Sequence, residues 1–205
     1  MNRQIVVYTK FGAKSSISKK KRSINWKLTI EHVLVSLESG VWKAHMSPGS
    51  ITLMNRIINN FGKQIVNKSL LSTRKNITIT IDTIVSAVKI VMEDQHVLRK
   101  QALKNIERGP TNKNKLSDVT IPTVIKLLKE CSNGELFSTD FPPTKKALIA
   151  LAVLFEYFVA EILMLAKFDE IDTRKDNILD GRILPKHIKK SIDNDEELKM
   201  LTINS

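Results

Sequence analysis

Histidine, cysteine and clustered carboxylates are the side chains that could do chemistry by type, and in this chain their spacing argues against it. The four histidines, His32, His45, His96 and His187, lie far apart and show none of the short pair spacings that hold a transition metal. Cys131 is the only cysteine, so no internal disulfide can form. No base is identifiable as a partner that would make its thiol a nucleophile. Asp176-Asn177-Ile178-Leu179-Asp180-Gly181 partly resembles a calcium-binding loop, but Ile178 stands at a ligand position and His187 where the closing glutamate belongs. There is no glycine-rich phosphate loop and no nucleophile elbow. The chain is therefore expected to be no enzyme and to hold no cofactor or metal.

The cations carry more. The formal net charge is +12 and the pI about 9.8, which points to a polyanionic partner. Residues 1–110 hold 19 lysines and arginines against 6 acids, whereas residues 111–205 hold 14 against 15, so one half supplies nearly all the excess. Lys19-Lys20-Lys21-Arg22 forms a compact basic run among serines. It could lie along phosphates or serve as a nuclear address, or remain a solvated tail. A single cysteine fits a reducing compartment. The N-terminal Met1-Asn2-Arg3-Gln4-Ile5 lacks the apolar run of a secretory signal. The most apolar stretch, Ala147 to Phe168, is interrupted by Glu156 and Glu161 and leaves no uncharged run of eighteen, so no membrane span is expected.

The elements that must position these charges follow one pattern twice: short helix, loop, long helix, loop, short helix. With 42% apolar residues and few aromatics, the composition favours packed helices. Ile30, Val33, Leu34 and Leu37 give the first helical stripe, closed by Gly40. Ser47-Pro48 starts a long helix striped by Ile51, Met54, Ile58, Phe61 and Ile65. A polar break at 72–76 precedes a short extended piece, Ile77-Thr78-Ile79-Thr80. Asp82 is expected to cap the next helix, striped by Ile84, Val85, Val88, Val91 and Met92, and another runs over about 97–108. After a Gly-Pro linker the pattern restarts. Pro122 is expected to open a short helix, Pro142-Pro143-Thr144 a long one over about 144–167, and Pro185 a last one. The second long helix is apolar around most of its circumference, so other helices must cover it on several sides.

Two segments carry a family resemblance. Leu53-Met54-Asn55, Ile57-Ile58-Asn59, Gln64-Ile65, Thr78-Ile79-Thr80, Ala87-Val88-Lys89 and Leu98-Arg99-Lys100-Gln101-Ala102-Leu103 resemble, in order and spacing, a type 2B histone. Leu154-Phe155-Glu156-Tyr157-Phe158-Val159-Ala160-Glu161-Ile162-Leu163 resembles the central helix of a type 2A histone. Gly181-Arg182-Ile183-Leu184-Pro185-Lys186-His187-Ile188, with Asp195-Glu196-Glu197-Leu198, resembles that family's last core helix and acidic end. Together the halves look like a fused 2B–2A histone doublet, similar to those of large amoeba-infecting DNA viruses. The resemblance implies an all-α fold of two tandem histone folds paired within one chain. It divides the sequence into a basic tail (1–25), a 2B-like fold (26–108), a linker (109–118) and a 2A-like fold (119–205). Since the sequence stops at Ser205, soon after Leu201, it further implies a shortened docking tail.

By the same resemblance the chain packages double-stranded DNA in nucleosome-like particles with a type 4–type 3 histone partner, in a nucleus or a virion. Arg182 matches a minor-groove arginine and should lie beside Lys43 and His45; Arg74, Lys75 and Thr78 should lie beside Lys145 and Lys146; Arg22, Lys27 and Lys126 should contribute from the starts of the short helices. Glu156, Glu161, Asp195, Glu196 and Glu197 match an acidic patch that docks basic peptides. There are departures. Asn76 and Pro142 stand at loop arginine positions, the second half's first helix looks two residues short, and Met164, Gln95 and Asn105 stand where the patch would have acids. A transcription-regulator pair binding chosen sites is the alternative; it predicts a large preference for one sequence over random DNA.

Overall fold

A computed structural model describes residues 24–37, 45–72, 78–110, 116–134, 142–173 and 181–203. Among them are eight helices and one pair of two-residue strands, an all-α architecture. In chain order these are α1 (Lys27–Leu37), β1 (His45–Met46), α2 (Pro48–Ser72), α3 (Ile81–Val91) and α4 (His96–Arg108) in the first half. The second half has α5 (Leu116–Cys131), α6 (Lys145–Thr173), β2 (Arg182–Ile183), α7 (Pro185–Asn194) and α8 (Glu196–Ile203).

The two long helices meet near their midpoints. Phe61 of α2 stacks on Phe158 of α6 with ring centroids 4.1 Å apart, and also meets the edge of Phe155 at 6.2 Å. Trp26, just before α1, packs edge-on to Phe155 at 4.9 Å. Such aromatic pairs add about 0.5–1.5 kcal/mol each beyond the area they bury. Gly62 is what lets the helices close in: a Cβ there would stand 2.8 Å from Leu127 Cδ2 of α5 and 3.3 Å from the Phe155 ring.

The apolar character of α6 is conspicuous in the sequence, and packing explains it. By length and composition alone Lys145–Ile171 could cross a membrane. In the fold it packs against α1, α3, α4, α5 and α7 and touches α2, with Ala147, Leu151, Leu154, Val159, Ile162 and Ala166 buried among them. The buried apolar residues form one cluster running from Ile24 to Leu201, drawn from both halves. Among the described residues the two halves share this one core.

Trp26 is strapped down by two asparagines of α2. Its backbone N–H donates to Asn55 Oδ1 (2.6 Å) and its indole N–H to Asn59 Oδ1 (3.1 Å), while Asn59 Nδ2 donates to the Ile24 carbonyl (2.8 Å). A fully buried tryptophan needs such a partner for its N–H.

The structure differs from the sequence expectation at two helix starts. Thr80, not Asp82, caps α3: Thr80 Oγ1 accepts from Thr83 N–H (3.4 Å) and Thr83 Oγ1 from Thr80 N–H (3.1 Å). Asp82 falls within the first turn, where its charge favours the positive end of the helix dipole. Pro122 does not open α5 but lies inside it, and α5 begins at Leu116, within the stretch read as linker. The cause is tertiary. Thr120, fully buried, is bonded to α6 and α1, and this holds the chain helical ahead of the proline. The helix α5 has 16 residues. The short extended piece expected before α3 ends at Thr80, whose backbone is extended, and the Ile79 carbonyl bonds to the second half.

Candidate nucleic-acid interface

The long helices α2 and α6 run in opposite directions, which brings the described loop ends of one half to those of the other. At one end, β1 and β2 pair in parallel, His45 opposite Arg182 and Met46 opposite Ile183. His45 N–H donates to the Gly181 carbonyl (3.0 Å) and Ser47 N–H to that of Ile183 (3.1 Å). Two residue types in the sequence enforce this. Pro185 fixes the first turn of α7, so the chain before it is extended. Ser47 caps α2, its Oγ accepting from Ser50 N–H (3.1 Å), and the buried Ser50 hydroxyl reaches across to the Ile183 carbonyl (2.7 Å). The two helix starts press together: a Cβ on Gly49 would meet Pro185 Cγ at 3.2 Å.

Arg182 and His45 are both exposed on this rigid pair, and Lys186 is exposed in the first turn of α7. His187, by contrast, is buried, and its Nδ1 accepts from Leu184 N–H (3.2 Å). Burial and then the neighbouring Lys186 charge push its pKa below the ordinary histidine value. Its Nδ1 serves as a structural acceptor at the start of α7.

At the other end, Thr144 N–H donates to the Ile79 carbonyl (3.1 Å), and the Thr78 hydroxyl donates to the Pro142 carbonyl. Thr144 also caps α6, its Oγ1 accepting from Ala147 N–H (3.1 Å). Lys145 and Lys146 stand exposed in that first turn. Thr78 and the two lysines are thus brought to one junction, as Arg182 and His45 are to the other. Lys27, in the first turn of α1, is exposed and lies 3.6 Å from Glu31 one turn on; Lys126 is exposed on α5. Arg22, Lys43, Arg74 and Lys75, with Asn76, lie outside the described residues.

The acidic positions do not form one open face. Glu156 is only 8% exposed. Its Oε1 accepts from Thr120 Oγ1 (2.6 Å), which in turn reaches Thr29 Oγ1 (3.3 Å), tying α6, α5 and α1 together. Desolvation pushes its pKa from 4.5 up to about 7, against the lowering effect of the Thr120 bond. An interior carboxyl cannot hold a surface peptide, so the expectation for Glu156 is corrected: its neighbours on α6 are core residues and the helix turns it inward. Glu161 is half-buried and takes the Tyr157 hydroxyl; desolvation raises its pKa. The carboxylates of Asp195 and Glu197 face the same tyrosine.

Two of these acids have internal duties the sequence did not reveal. Asp195 Oδ1 caps α8 by accepting from Leu198 N–H (2.8 Å). Glu197 reaches across to α4, its two oxygens accepting from Val97 N–H (3.0 Å) and Leu98 N–H (2.8 Å). A carboxylate on the free N–H groups of a helix start is favoured by hydrogen bonds and by the dipole together. Glu196 is exposed, and so is Met164, three residues from Glu161. Among the described residues no group of three His, Cys, Asp or Glu could hold a metal ion.

No known protein family matches the chain, and no characterised protein matches it with significance. The assignment of function therefore rests on the residues and their geometry.

Proposed function

We propose that the chain is a histone doublet: a type 2B and a type 2A histone fold clasped within one polypeptide, binding and bending double-stranded DNA without reading its bases. One observation carries the reading. The described loop ends of each half are joined to the opposite half, through β1–β2 at one end of the long-helix pair and through Thr78–Ile79 with Pro142–Thr144 at the other. Such reciprocal junctions, flanking a central crossing of long helices, are what the histone resemblance implies.

The chemistry follows from what each junction exposes. Arg182 is exposed on a hydrogen-bonded strand pair, so little backbone freedom is lost when it enters a minor groove. Lys145, Lys146 and Lys27 are exposed in first turns, where their charge adds to backbone N–H groups that favour phosphate. The junctions are separated by the length of α2, 25 residues, or about 37 Å at 1.5 Å per residue. That spans at least about one turn of duplex, roughly 34–36 Å. A rigid body gripping phosphates at both ends favours curvature in the DNA between them. The partner completing a particle would be a type 4–type 3 histone pair, in a nucleus or a virion.

Titration of the full chain with several unrelated duplexes over a range of salt tests the reading. The expected result is similar affinity for all of them, with a steep salt dependence. Arg182→Ala should weaken every duplex alike and reduce the magnitude of the salt slope by roughly one. A loss confined to one sequence would replace packaging by site-specific regulation, and no loss at all would remove Arg182 from the interface.

A further inference from the structure

The peptide unit between Ile183 and Leu184 is clamped on both sides. Its carbonyl accepts from Ser47 N–H (3.1 Å) and from the buried Ser50 hydroxyl (2.7 Å), both at the start of α2. Its N–H donates to Nδ1 of His187 (3.2 Å), in the first turn of α7. The first clamp is made of groups that do not titrate. The second depends on a lone pair that one proton removes. A protonated imidazole carries N–H at both nitrogens, so Nδ1 would then face the Leu184 N–H donor to donor. This peptide unit begins one residue after Arg182, so what holds it also holds the strand pair on which that arginine is exposed.

The charges around the ring work in two directions. Lys186 and Lys190 of α7 face it and oppose a cationic ring; Asp169 and Glu170 near the end of α6 face it and favour one. Asp169 is itself paired with Lys190, and Glu170 is buried. A neutral ring is thus held by Leu184, while a cationic ring is drawn towards the α6 carboxylates. The opposite junction has no such element. It is closed by Thr144 N–H on the Ile79 carbonyl and the Thr78 hydroxyl on that of Pro142, none of which titrates.

We propose that His187 is an acid-sensitive latch on the Arg182 junction: protonation of its buried ring releases the Leu184 N–H, frees the Ile183–Leu184 peptide unit to rotate, and loosens β1–β2 while the other junction stays closed. The direction follows from linkage. A ring released into water takes a proton near pH 6.5, whereas burial first and then Lys186 keep the pKa of the held ring lower. Between those two values each proton bound favours the released arrangement, so the latch is closed above about pH 6.5 and weakens as pH falls. In a chain that grips a duplex at both ends, acid then slackens one grip only. That consequence rests on the DNA reading; the latch itself does not.

Amide exchange of the full chain, followed by NMR and expressed as protection factors, tests the latch between about pH 7.5 and about pH 5. Protection of the Leu184, His45 and Ser47 amides is expected to fall about tenfold on acidification, the order of one lost hydrogen bond, and that of Thr144 to change less than about twofold. His187→Gln takes no proton but keeps an acceptor that can reach back to the same N–H, as glutamine does at this position of a capping box. Its protection should stay level over the range. His45→Gln, which removes the exposed histidine of β1, should leave the response in place. Glu156 and Glu161, whose pKa values are raised, are common to parent and variants and cancel in the comparison. Leu184 protection that does not change with pH in the parent chain would overturn the latch. So would equal losses at Leu184 and Thr144, or a response that His45→Gln abolishes and His187→Gln keeps. Duplex titration at the acid end separates the latch from the DNA reading: the parent should bind about fivefold more weakly than His187→Gln, as for one lost phosphate contact at physiological salt. Equal affinities alongside the expected exchange would leave the latch standing and remove Arg182 from the grip.

Discussion

Glu156 offers the sharpest test of the packing. Its carboxyl is 8% exposed, bonded to Thr120, and has a pKa of about 7 against 4.5 for an ordinary glutamate. The folded state therefore prefers the protonated form more than the unfolded chain does. The stability this residue supports is fully present below pH 4.5 and is lost as pH rises through 7. Between those values the loss runs at up to about 1.4 kcal/mol per pH unit, reaching about 3 kcal/mol by pH 8. Glu156→Gln keeps the shape and the oxygen that accepts from Thr120 but cannot ionise. In urea unfolding followed by circular dichroism, the variant should match the parent to within about 1 kcal/mol at pH 4.5–5. It should exceed the parent by about 2–3 kcal/mol at pH 8. Other titrating groups, including Glu161 with its raised pKa and His187 with its lowered one, are common to both proteins and cancel in the difference. Parallel pH profiles for the two proteins would mean that the carboxyl is solvated in the folded chain, and the placement of α5 over α6 would then be wrong.

Further consequences are as direct. Gly62→Val should destabilise the chain by about 2 kcal/mol or more, because Leu127 and the boxed-in Phe155 ring leave no room for the added methyls; an unchanged urea midpoint would deny the close crossing. Glu197→Ala should cost about 1–2 kcal/mol and speed hydrogen exchange at the Val97 and Leu98 amides, whereas exchange unchanged at both would rule out the cap from α8. Residues 1–110 and 111–205, expressed apart, should each lack cooperative unfolding and regain it on mixing; cooperative unfolding of either half alone would contradict the shared core.

Where the sequence could be read and where it could not has a physical pattern. The Arg182 loop was legible because Pro185 and Ser47-Pro48 fix two helix starts by local sterics and capping, leaving extended chain just before each. The stripes of α2 and α3 were legible because one face of each is buried and period 3.6 survives. Local rules failed where a distant partner decided the outcome. Pro122 sits mid-helix because Thr120 is held by Glu156 and Thr29. Asp82 and Thr80 are both good caps by type, and the bond of Ile79 to Thr144 sets the extended backbone that makes Thr80 the boundary. Nothing near Glu156 in sequence distinguishes it from Glu161; only the cover given by α1 and α5 puts one inside and leaves the other half-exposed. Glu197 looked like a member of a surface cluster because its partner, the start of α4, is a hundred residues away.

The dependence of the second half on the first gives their covalent union its physical sense. α6 has buried residues on nearly every side, and the helices that cover it include α1, α3 and α4 from the other half. Removed from them, it would expose enough apolar surface to behave as a membrane segment by composition. A separate partner chain could supply the cover, but only as fast and as completely as its concentration allowed. A short covalent link holds the partner at an effective concentration on the order of millimolar. The cover is then present whenever the chain is. The same link fixes both loop junctions at once, so Arg182 and Lys145 are held a set distance apart by a single folding event. On the proposed reading, a two-point grip on one duplex would require that constancy: ends free to separate would each bind phosphate independently, and neither would constrain the path of the DNA between them.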